Sequence, residues 1–266
     1  MSWITETAGR KLARFLSKPV QQSNLVTTVS QKQLNETLQP ADVLLVEGVT
    51  RLSVPIKYLT QSTWSHAAIY IGNALPFSPH ESWQLPLTLV EADLEEGVRA
   101  VTLAHYAHMH TRICRPVGLS DEDRKQVVDY VIARLGHHYD LKNIFDLVRY
   151  LFPMAPVPTR LRRRLLSLGS GDPTRAICST LIAQAFQSVQ YPILPEVKRE
   201  WSDDPMCADY YAEVYQIRHH SLYTPRDFDI SPFFDIIKPT IENGFDYRTV
   251  AWSDAAEDME QSKIAN

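Results

Sequence analysis

The chain has few cysteines and lacks long apolar runs. Its 266 residues include 3 cysteines, and no stretch approaches the roughly 20 apolar residues that a membrane-spanning helix needs. A sparse, odd set of cysteines argues against a disulfide framework and fits a reducing compartment. Residues 1–18 also lack the apolar core and the small-residue cleavage site of a secretory signal. We therefore expect a cytoplasmic protein.

Three functional classes find no support in the sequence. The GxSxG motif of α/β-type serine hydrolases and the GxxxxGK[ST] loop of nucleotide-binding proteins are both absent. The net charge of −4 gives no reason to expect nucleic-acid binding. What remains is a chain with 44% hydrophobic residues, which is enough to bury the core of a folded domain.

Two segments leave a membrane contact open. Residues 1–18 can form a short amphipathic helix with one apolar face, made of Ile4, Ala8, Leu12 and Phe15. Such a helix either docks onto the protein's own core or lies on a membrane surface. A basic run at 160–164 is either a solvated helix face or a contact for an anionic partner such as a phospholipid surface.

Five short segments are predicted as strands because they are apolar or alternate with a period of two. They cover residues 41–48, 65–72, 87–93, 97–104 and 111–117. The alternation places His66, Ala68 and Tyr70 on one face of the second strand. Their close spacing implies an antiparallel sheet.

Helices are predicted to follow the strands. Ser120 caps a helix that Gly136 ends, a second helix covers 141–152, a third begins near Cys178, and a fourth lies around 203–214. A run of strands followed by a run of helices predicts an α+β fold, with the helices packed on one face of the sheet. Residues 19–40 are polar and predict a linker or irregular arm.

Cys178 lies at the predicted start of the third helix. The preceding "GSGDPTRA" cannot continue a helix, and the apolar stripe begins directly after the cysteine. Free N–H groups and the positive dipole end at a helix N-terminus lower a thiol pKa and can hold an oxyanion. The alternative is a buried structural cysteine, and this helix alone favours that alternative.

A nucleophilic cysteine needs a base, and the base needs a group that orients it. His66 is the best candidate base, because strand propensity gives no reason for a histidine within "WSHAAIY". Glu91 is a carboxylate within the apolar strand "LTLVEAD" and becomes a cross-strand partner if the two strands are neighbours. The alternatives are a half-buried structural histidine and a carboxylate that points to water.

The histidine-rich segment "HYAHMH" at 105–110 has the composition of a metal site. It lies in a connecting segment and has no cysteines nearby at zinc spacing, which favours a surface cluster. No metal or organic cofactor is expected.

Seven blocks in order resemble a known family: "ADVLLVEG", "LTQSTWSHAAIYIG", "LVEA", "LGHHYD", "ICSTLIAQAF", "YPILP" and "TPRDFDISPFF". Together they are similar to the permuted NlpC-type, papain-like cysteine hydrolases of the YiiX/YebB-like amidase group, over roughly residues 40–240. In this group the order is His, Glu, Cys, and the group is related to lecithin retinol acyltransferase-like enzymes. The resemblance implies a circularly permuted papain-like α+β fold.

The resemblance also implies site residues. It implies that Cys178 is the nucleophile, His66 the base and Glu91 its orienting partner, while Tyr139 of the "YD" motif lies near the cysteine and helps bind the substrate carbonyl. It further implies hydrolysis of an amide, in a peptide or amino-acid-containing substrate, through a thioester acyl-enzyme. Two alternatives stay open, which are a lipid-directed thiol acyltransferase or phospholipase at a membrane surface and a non-catalytic binding module.

Three regions are expected along the chain. Residues 1–40 form an N-terminal helix and linker arm, residues 41–240 the permuted papain-like catalytic domain, and residues 241–266 a C-terminal tail. The insertion at 73–86 is predicted to overhang the site. Expected partners are a small-molecule, peptide or lipid substrate, without nucleic acid and with membrane contact, if any, through residues 1–18; the oligomeric state stays open.

Overall fold

A six-stranded antiparallel sheet organises the chain. A computed structural model describes residues 14–20, 29–76, 85–137, 177–201 and 211–250. In chain order the strands are β1 (Val43–Val46), β2 (His66–Tyr70), β3 (Leu87–Asp93), β4 (Gly97–Thr102), β5 (Thr111–Pro116), β6 (Glu196–Trp201), β7 (Tyr211–Gln216) and β8 (Phe234–Ile237). Strands β6 and β7 form a separate hairpin, and the other six form the sheet. Their order across the sheet is β4-β3-β2-β1-β5-β8. The prediction of an antiparallel sheet is therefore confirmed, with all five predicted strands present.

Besides helical residues at 14–16, six α-helices and three short 3-10 helices accompany the strands within the described ranges. The α-helices are α1 (Gln31–Thr37), α2 (Ser53–Thr60), α3 (Asp121–Ile132), α4 (Ile177–Ser188), α5 (Pro225–Asp229) and α6 (Pro239–Glu242). The 3-10 helices are Leu103–Tyr106, His220–Leu222 and Tyr247–Thr249. Mixed helices and an antiparallel sheet confirm the predicted α+β class. In the described part of the chain no helix is both long and apolar enough to cross a membrane.

Each face of the sheet has its own hydrophobic core. On one face Ala67 and Ile69 of β2 pack with α3 and α4, and on the other Ala68 and Tyr70 pack with α1 and the 3-10 helix at 103–106. This division follows from the alternation of side chains along a strand. The predicted faces of β2 are therefore correct, but helical elements cover both faces rather than one.

The helices α3 and α4 begin where the sequence predicted. Ser120 caps α3 by accepting the N–H of Asp123 at 3.1 Å. The α-helix ends at Ile132 rather than at Gly136, because the N–H groups of Arg134 and Leu135 bond the carbonyls of Val131 and Ile132, three residues earlier, and so leave the α-helical pattern. The predicted apolar stripe of α4 is buried: Leu181, Ile182, Ala185 and Phe186 are at most 1% exposed.

Two further predictions on secondary structure are wrong. Residues 31–37 form helix α1 instead of an irregular arm, since Ser30 caps the helix and Leu34 and Leu38 enter the core. The helix predicted around 203–214 is wrong at residues 211–214, because residues 211–216 form strand β7 and pair with β6 in a hairpin; its residues 203–210 lie outside the described ones. The predicted helix at 141–152, the basic run at 160–164 and residues 1–13 lie outside the described residues, and so does most of the 73–86 insertion.

A buried ion pair ties α1 to the sheet. Asp42 is fully buried and accepts from Arg115 Nε at 2.9 Å and from Arg115 Nη2 at 2.7 Å. The same Nη2 donates to the carbonyl of Thr37 at the end of α1. Burial raises the pKa of Asp42 above its usual value even though the hydrogen bonds and charge of Arg115 act against it. The guanidinium is therefore needed to keep this carboxylate satisfied.

We expect Arg115→Met to destabilise the fold by about 3–5 kcal/mol, because it leaves the Asp42 carboxylate buried without its partner. Urea denaturation measures this loss. The loss should be smaller in acid than at neutral pH, since Asp42 without its cation binds a proton more readily in the folded state. Lys125→Met is the matched control, because Lys125 pairs with the exposed Asp129 at 2.8 Å and an exposed ion pair contributes little. Equal losses in both variants would contradict this account.

Candidate active site

His66 and Glu91 meet across two neighbouring strands. His66 is the first residue of β2, and Glu91 lies opposite Ala68 in the register of β2 and β3. Residues two apart in a strand share a face, so His66 lies diagonally across from Glu91. His66 Nε2 is 2.5 Å from Glu91 Oε2. The two strands are therefore neighbours, as the predicted pairing of His66 with Glu91 required.

Glu91 is a buried carboxylate with both oxygens occupied. Its side chain is 3% exposed, which excludes the alternative of a carboxylate that points to water. Arg99 donates to Oε1 from Nε at 2.8 Å and lies 2.7 Å from it through Nη2. The Tyr106 hydroxyl donates to Oε2, the oxygen that also bonds His66. These contacts hold the carboxylate in one orientation.

The partners of Glu91 also fix its charge. Burial disfavours the ionised form, but the charge and hydrogen bond of His66 outweigh it, helped by Tyr106 and Arg99. The pKa of Glu91 therefore lies well below its usual range. Burial, together with the carboxylate, raises the pKa of Tyr106 well above that of an ordinary phenol. Tyr106 therefore stays protonated and acts only as a hydrogen-bond donor.

Cys178 is the second residue of α4 and contacts the His66 ring, which bonds Glu91 through Nε2. Its side chain is 5% exposed, and its thiol hydrogen-bonds with the His66 ring and accepts from the N–H of Ala67. Burial raises a thiol pKa, but the charge of His66 and these hydrogen bonds more than offset it, so the pKa of Cys178 is lowered. By contrast, burial raises the pKa of Cys114 strongly, so Cys114 is an inert core thiol.

His66 is held as an imidazolium. Burial lowers the pKa of His66, but the negative charges of Cys178 and Glu91 and their hydrogen bonds raise it well above the usual value. Because Nε2 is bonded to Glu91, the other ring nitrogen, Nδ1, is the atom available to the thiol. The arrangement is thus a thiolate–imidazolium pair backed by a carboxylate, which is the charge state of an activated cysteine nucleophile.

A cavity of about 410 Å³ opens onto this network. Its lining includes His66, Glu91, Arg99 and Tyr106, and it extends to Ser17 in the N-terminal segment. The described lining also carries three carboxylates of the β3–β4 hairpin, which are Asp93, Glu95 and Glu96. The cavity therefore borders the carboxylate side of the His66–Glu91 pair, and Cys178 is not among its described lining residues. Among the described residues, no group of three or more His, Cys, Asp and Glu side chains could hold a metal ion.

The structure brings His66, Glu91 and Cys178 together, while Tyr139 lies outside the described residues. Sequence reasoning missed two contributors, Arg99 and Tyr106. A signal for Arg99 was available, because a hairpin turn just before Gly97 places residue 99 opposite residue 91 in the register. No comparable signal marked Tyr106, which lies in the segment interpreted as a surface histidine cluster.

Part of the chain matches a known protein family. Residues 37–151 match the permuted papain-like amidase enzymes of the YaeF/YiiX type, peptidase family C92. The predicted resemblance to this family is confirmed over residues 37–151, and the matched family is one of papain-like enzymes. The matched range of the permuted papain-like amidases contains His66 and Glu91 but ends before Cys178.

One solved structure is also similar, the metalloprotein YiiX from Escherichia coli O157:H7. It is 16% identical, with a TM-score of 0.44, and the likeness covers 75% of this chain and 96% of that chain. No curated protein matches the chain.

We expect Cys178 to react with iodoacetamide rapidly at a pH where a free thiol, with a pKa of about 8.5, is almost wholly protonated. The lowered thiol pKa means that the thiolate is present above that pKa and is lost only as the pH falls through it. Alkylation rates across pH, read at the Cys178 peptide by mass spectrometry, measure the inflection.

His66→Ala removes the charge that offsets burial of the thiol, so the inflection should move above the free-thiol pKa rather than merely return to it. Cys114, in the same samples, provides the internal reference for an unactivated buried thiol. A variant that retains the wild-type inflection would show that His66 does not activate Cys178.

Proposed function

We propose that the chain is a cysteine amidase in which Cys178, His66 and Glu91 form a catalytic triad. The observation that supports this proposal most is the unbroken chain of hydrogen bonds from the Cys178 thiol through the His66 ring to the buried Glu91 carboxylate. A structural histidine does not need a saturated, ionised carboxylate behind it, whereas a general base that becomes an imidazolium does.

Acylation follows from the charge state of the pair. The Cys178 thiolate attacks the amide carbonyl carbon, a C–S bond forms, and the carbonyl oxygen becomes an oxyanion. His66 then donates its Nδ1 proton to the amide nitrogen, the C–N bond breaks, and the amine leaves. A thioester remains on Cys178, and His66 is neutral.

Deacylation reverses these roles with water as the acceptor. Neutral His66 removes a proton from water as the water oxygen attacks the thioester carbonyl. The C–S bond breaks, the acid product leaves, and Cys178 departs as a thiolate beside the newly formed imidazolium. The resting pair is thereby restored, and Glu91 stabilises the imidazolium throughout while remaining ionised.

The N-terminus of α4 offers N–H groups that can stabilise the oxyanion. The first N–H groups of a helix have no partner within the helix, and Cys178 is the second residue of α4. We propose that the N–H of Cys178 donates to the oxyanion, with the hydroxyl of Tyr139 as a second donor.

Arg99 and Tyr106 act as positioning residues in this mechanism. They contact neither Cys178 nor a reacting atom in our proposal, and they act by holding Glu91 ionised and turned toward His66. Arg99 itself pairs with Glu96 at 3.0 Å and with Asp93 at 3.7 Å. The β3–β4 hairpin thus fixes the position of the guanidinium that holds Glu91.

An amide substrate is the preferred interpretation because the matched family is one of amidases. The alternative of a lipid-directed acyltransferase rests on the related acyltransferases, on the amphipathic residues 1–18 and on the basic run at 160–164, of which only residues 14–18 are described. In the described part of the N-terminus, Leu16 is buried in the protein. The Arg51 guanidinium lies over the Phe15 ring, 4.1 Å from its centroid.

Matched substrates test the proposal. Aminoacyl p-nitroanilides present an amide bond, and fatty-acyl p-nitrophenyl esters of increasing chain length present a lipid-like acyl group. We expect anilide hydrolysis with a thioester adduct on Cys178 visible by mass spectrometry. Cys178→Ser should lower kcat about 10³-fold or more, as removal of a nucleophile does. Cys114→Ala, which alters a buried cysteine outside the triad, is the matched control and should keep the wild-type kcat.

Turnover restricted to the esters, rising with chain length, would replace the amide interpretation by the lipid one while leaving the triad intact. Anilide turnover that survives Cys178→Ser would overturn the triad itself.

Arg99→Met should lower kcat about 10- to 100-fold, a part of the total that acid–base catalysis supplies. Without the guanidinium the pKa of Glu91 rises, so activity on the acid side should be lost at a higher pH than in the wild type. Arg99→Lys keeps a cation and should recover part of both effects. Arg112→Met is the control, because Arg112 pairs with Asp229 at 2.5 Å instead. A uniform loss of rate without a shifted pH profile would count against the positioning role.

A further inference from the structure

The first turn of α4 carries two buried hydroxyl groups, on Ser179 and Thr180. Ser179 is 0% exposed and Thr180 is 9% exposed. Neither hydroxyl bonds an oxygen or nitrogen atom in the described part of the chain. We propose that the Ser179 hydroxyl is a catalytic donor that stabilises the Cys178 sulfur as the attacking thiolate. This inference rests on the proposed function, because it takes Cys178 as the nucleophile.

The place of these two residues in the helix explains why their hydroxyls lack the usual partner. A serine or threonine inside a helix can bond the carbonyl four residues earlier. In α2, for example, the Thr60 hydroxyl donates to the carbonyl of Ile56 at 2.8 Å. Helix α4 begins at Ile177, so the residues four positions before Ser179 and Thr180 precede the helix. Each of the two hydroxyls therefore keeps a donor for another acceptor.

Ser179 differs from Thr180 in its relation to the nucleophile. A hydrogen bond from the Ser179 side chain is among the main interactions that lower the pKa of the Cys178 thiol, and Thr180 is not one of these groups. The His66 ring and the N–H of Ala67 bond the same sulfur. A thiolate has no proton of its own, so it can accept from all three donors, two of which come from β2 and one from α4.

This donor favours the charged form of the sulfur. Hydrogen bonds to an ionised acceptor are roughly twice as strong as those to a neutral one. A neutral cysteine sulfur is a weak acceptor, so the Ser179 hydroxyl stabilises the thiolate more than the thiol or the thioester. The hydroxyl keeps its own proton throughout. When the C–S bond of the thioester breaks, the electron pair returns to sulfur and the hydrogen bond forms again.

The contribution of Ser179 is separable from that of His66. His66 carries a charge and supplies the proton that the leaving amine takes in the proposed mechanism. The Ser179 hydroxyl is a neutral donor at every pH of interest and transfers no proton. Its removal should therefore change the pH at which Cys178 ionises while the acid–base function of His66 remains.

Iodoacetamide alkylation across pH, read at the Cys178 peptide by mass spectrometry, tests this role in Ser179→Ala. We expect the inflection to move up by about one pH unit, the scale of one hydrogen bond to a charged group. Below the wild-type inflection the rate should fall about tenfold. On the plateau at high pH it should rise about two- to threefold, because a thiolate of higher pKa is a stronger nucleophile. A disturbance of packing alone would not produce these two opposite changes.

Thr180→Val is the matched control, because it removes the other buried hydroxyl of the same turn and should leave the inflection at the wild-type pH. Alanine is the most favourable residue in a helix, so Ser179→Ala should keep α4 folded. An unchanged inflection in Ser179→Ala, or an equal shift in both variants, would overturn the proposal. Failure of the proposed function would instead appear in the wild type, as a Cys178 inflection no lower than that of a free thiol.

Discussion

The buried carboxylate of Glu91 is the constraint on which the rest of the site depends. An ionised carboxylate at 3% exposure is tolerated only where its charge and hydrogen-bonding capacity are met. Three groups on three elements meet them: His66 on β2, Arg99 on β4 and Tyr106 on the following 3-10 helix. Because each of these elements must be in place, the charge of Glu91 couples the geometry of the base to the folding of the sheet.

The fold supplies this arrangement through strand register. The β3–β4 hairpin sets Arg99 opposite Glu91, and the β2–β3 pairing sets His66 diagonally across from it. A slip of one residue in either register would turn the carboxylate to the other face of the sheet. The two hydrophobic cores prevent that slip, since each strand buries one set of side chains on each face. Packing far from the site therefore protects its geometry.

Sequence reasoning recovered the parts of the site that break a local pattern. His66 and Glu91 are polar residues in apolar strands, and Cys178 follows a segment rich in glycine and proline, so all three stand out in the sequence alone. Tyr106 breaks no pattern, because a tyrosine in a polar connecting segment is ordinary. Helix α1 was missed because its apolar residues are few, and tertiary contacts stabilise such a short helix more than propensity does. Strand β7 was missed for a related reason, since its pairing with β6 depends on a partner rather than on its own pattern.

The charges of the site alternate in space, and this alternation explains how a buried thiol can be activated at all. Burial by itself opposes the charged forms of Cys178, His66 and Glu91 alike. Each is ionised only because its neighbour carries the opposite charge, in the order thiolate, imidazolium, carboxylate and guanidinium. The four charges sum to zero, and their mutual attraction offsets the free energy of desolvation that each charge would cost if it were buried alone. The chain of opposite charges must therefore end on a group whose own ionisation does not depend on the others. Arg99 is that group, because a guanidinium stays protonated whatever its neighbours do.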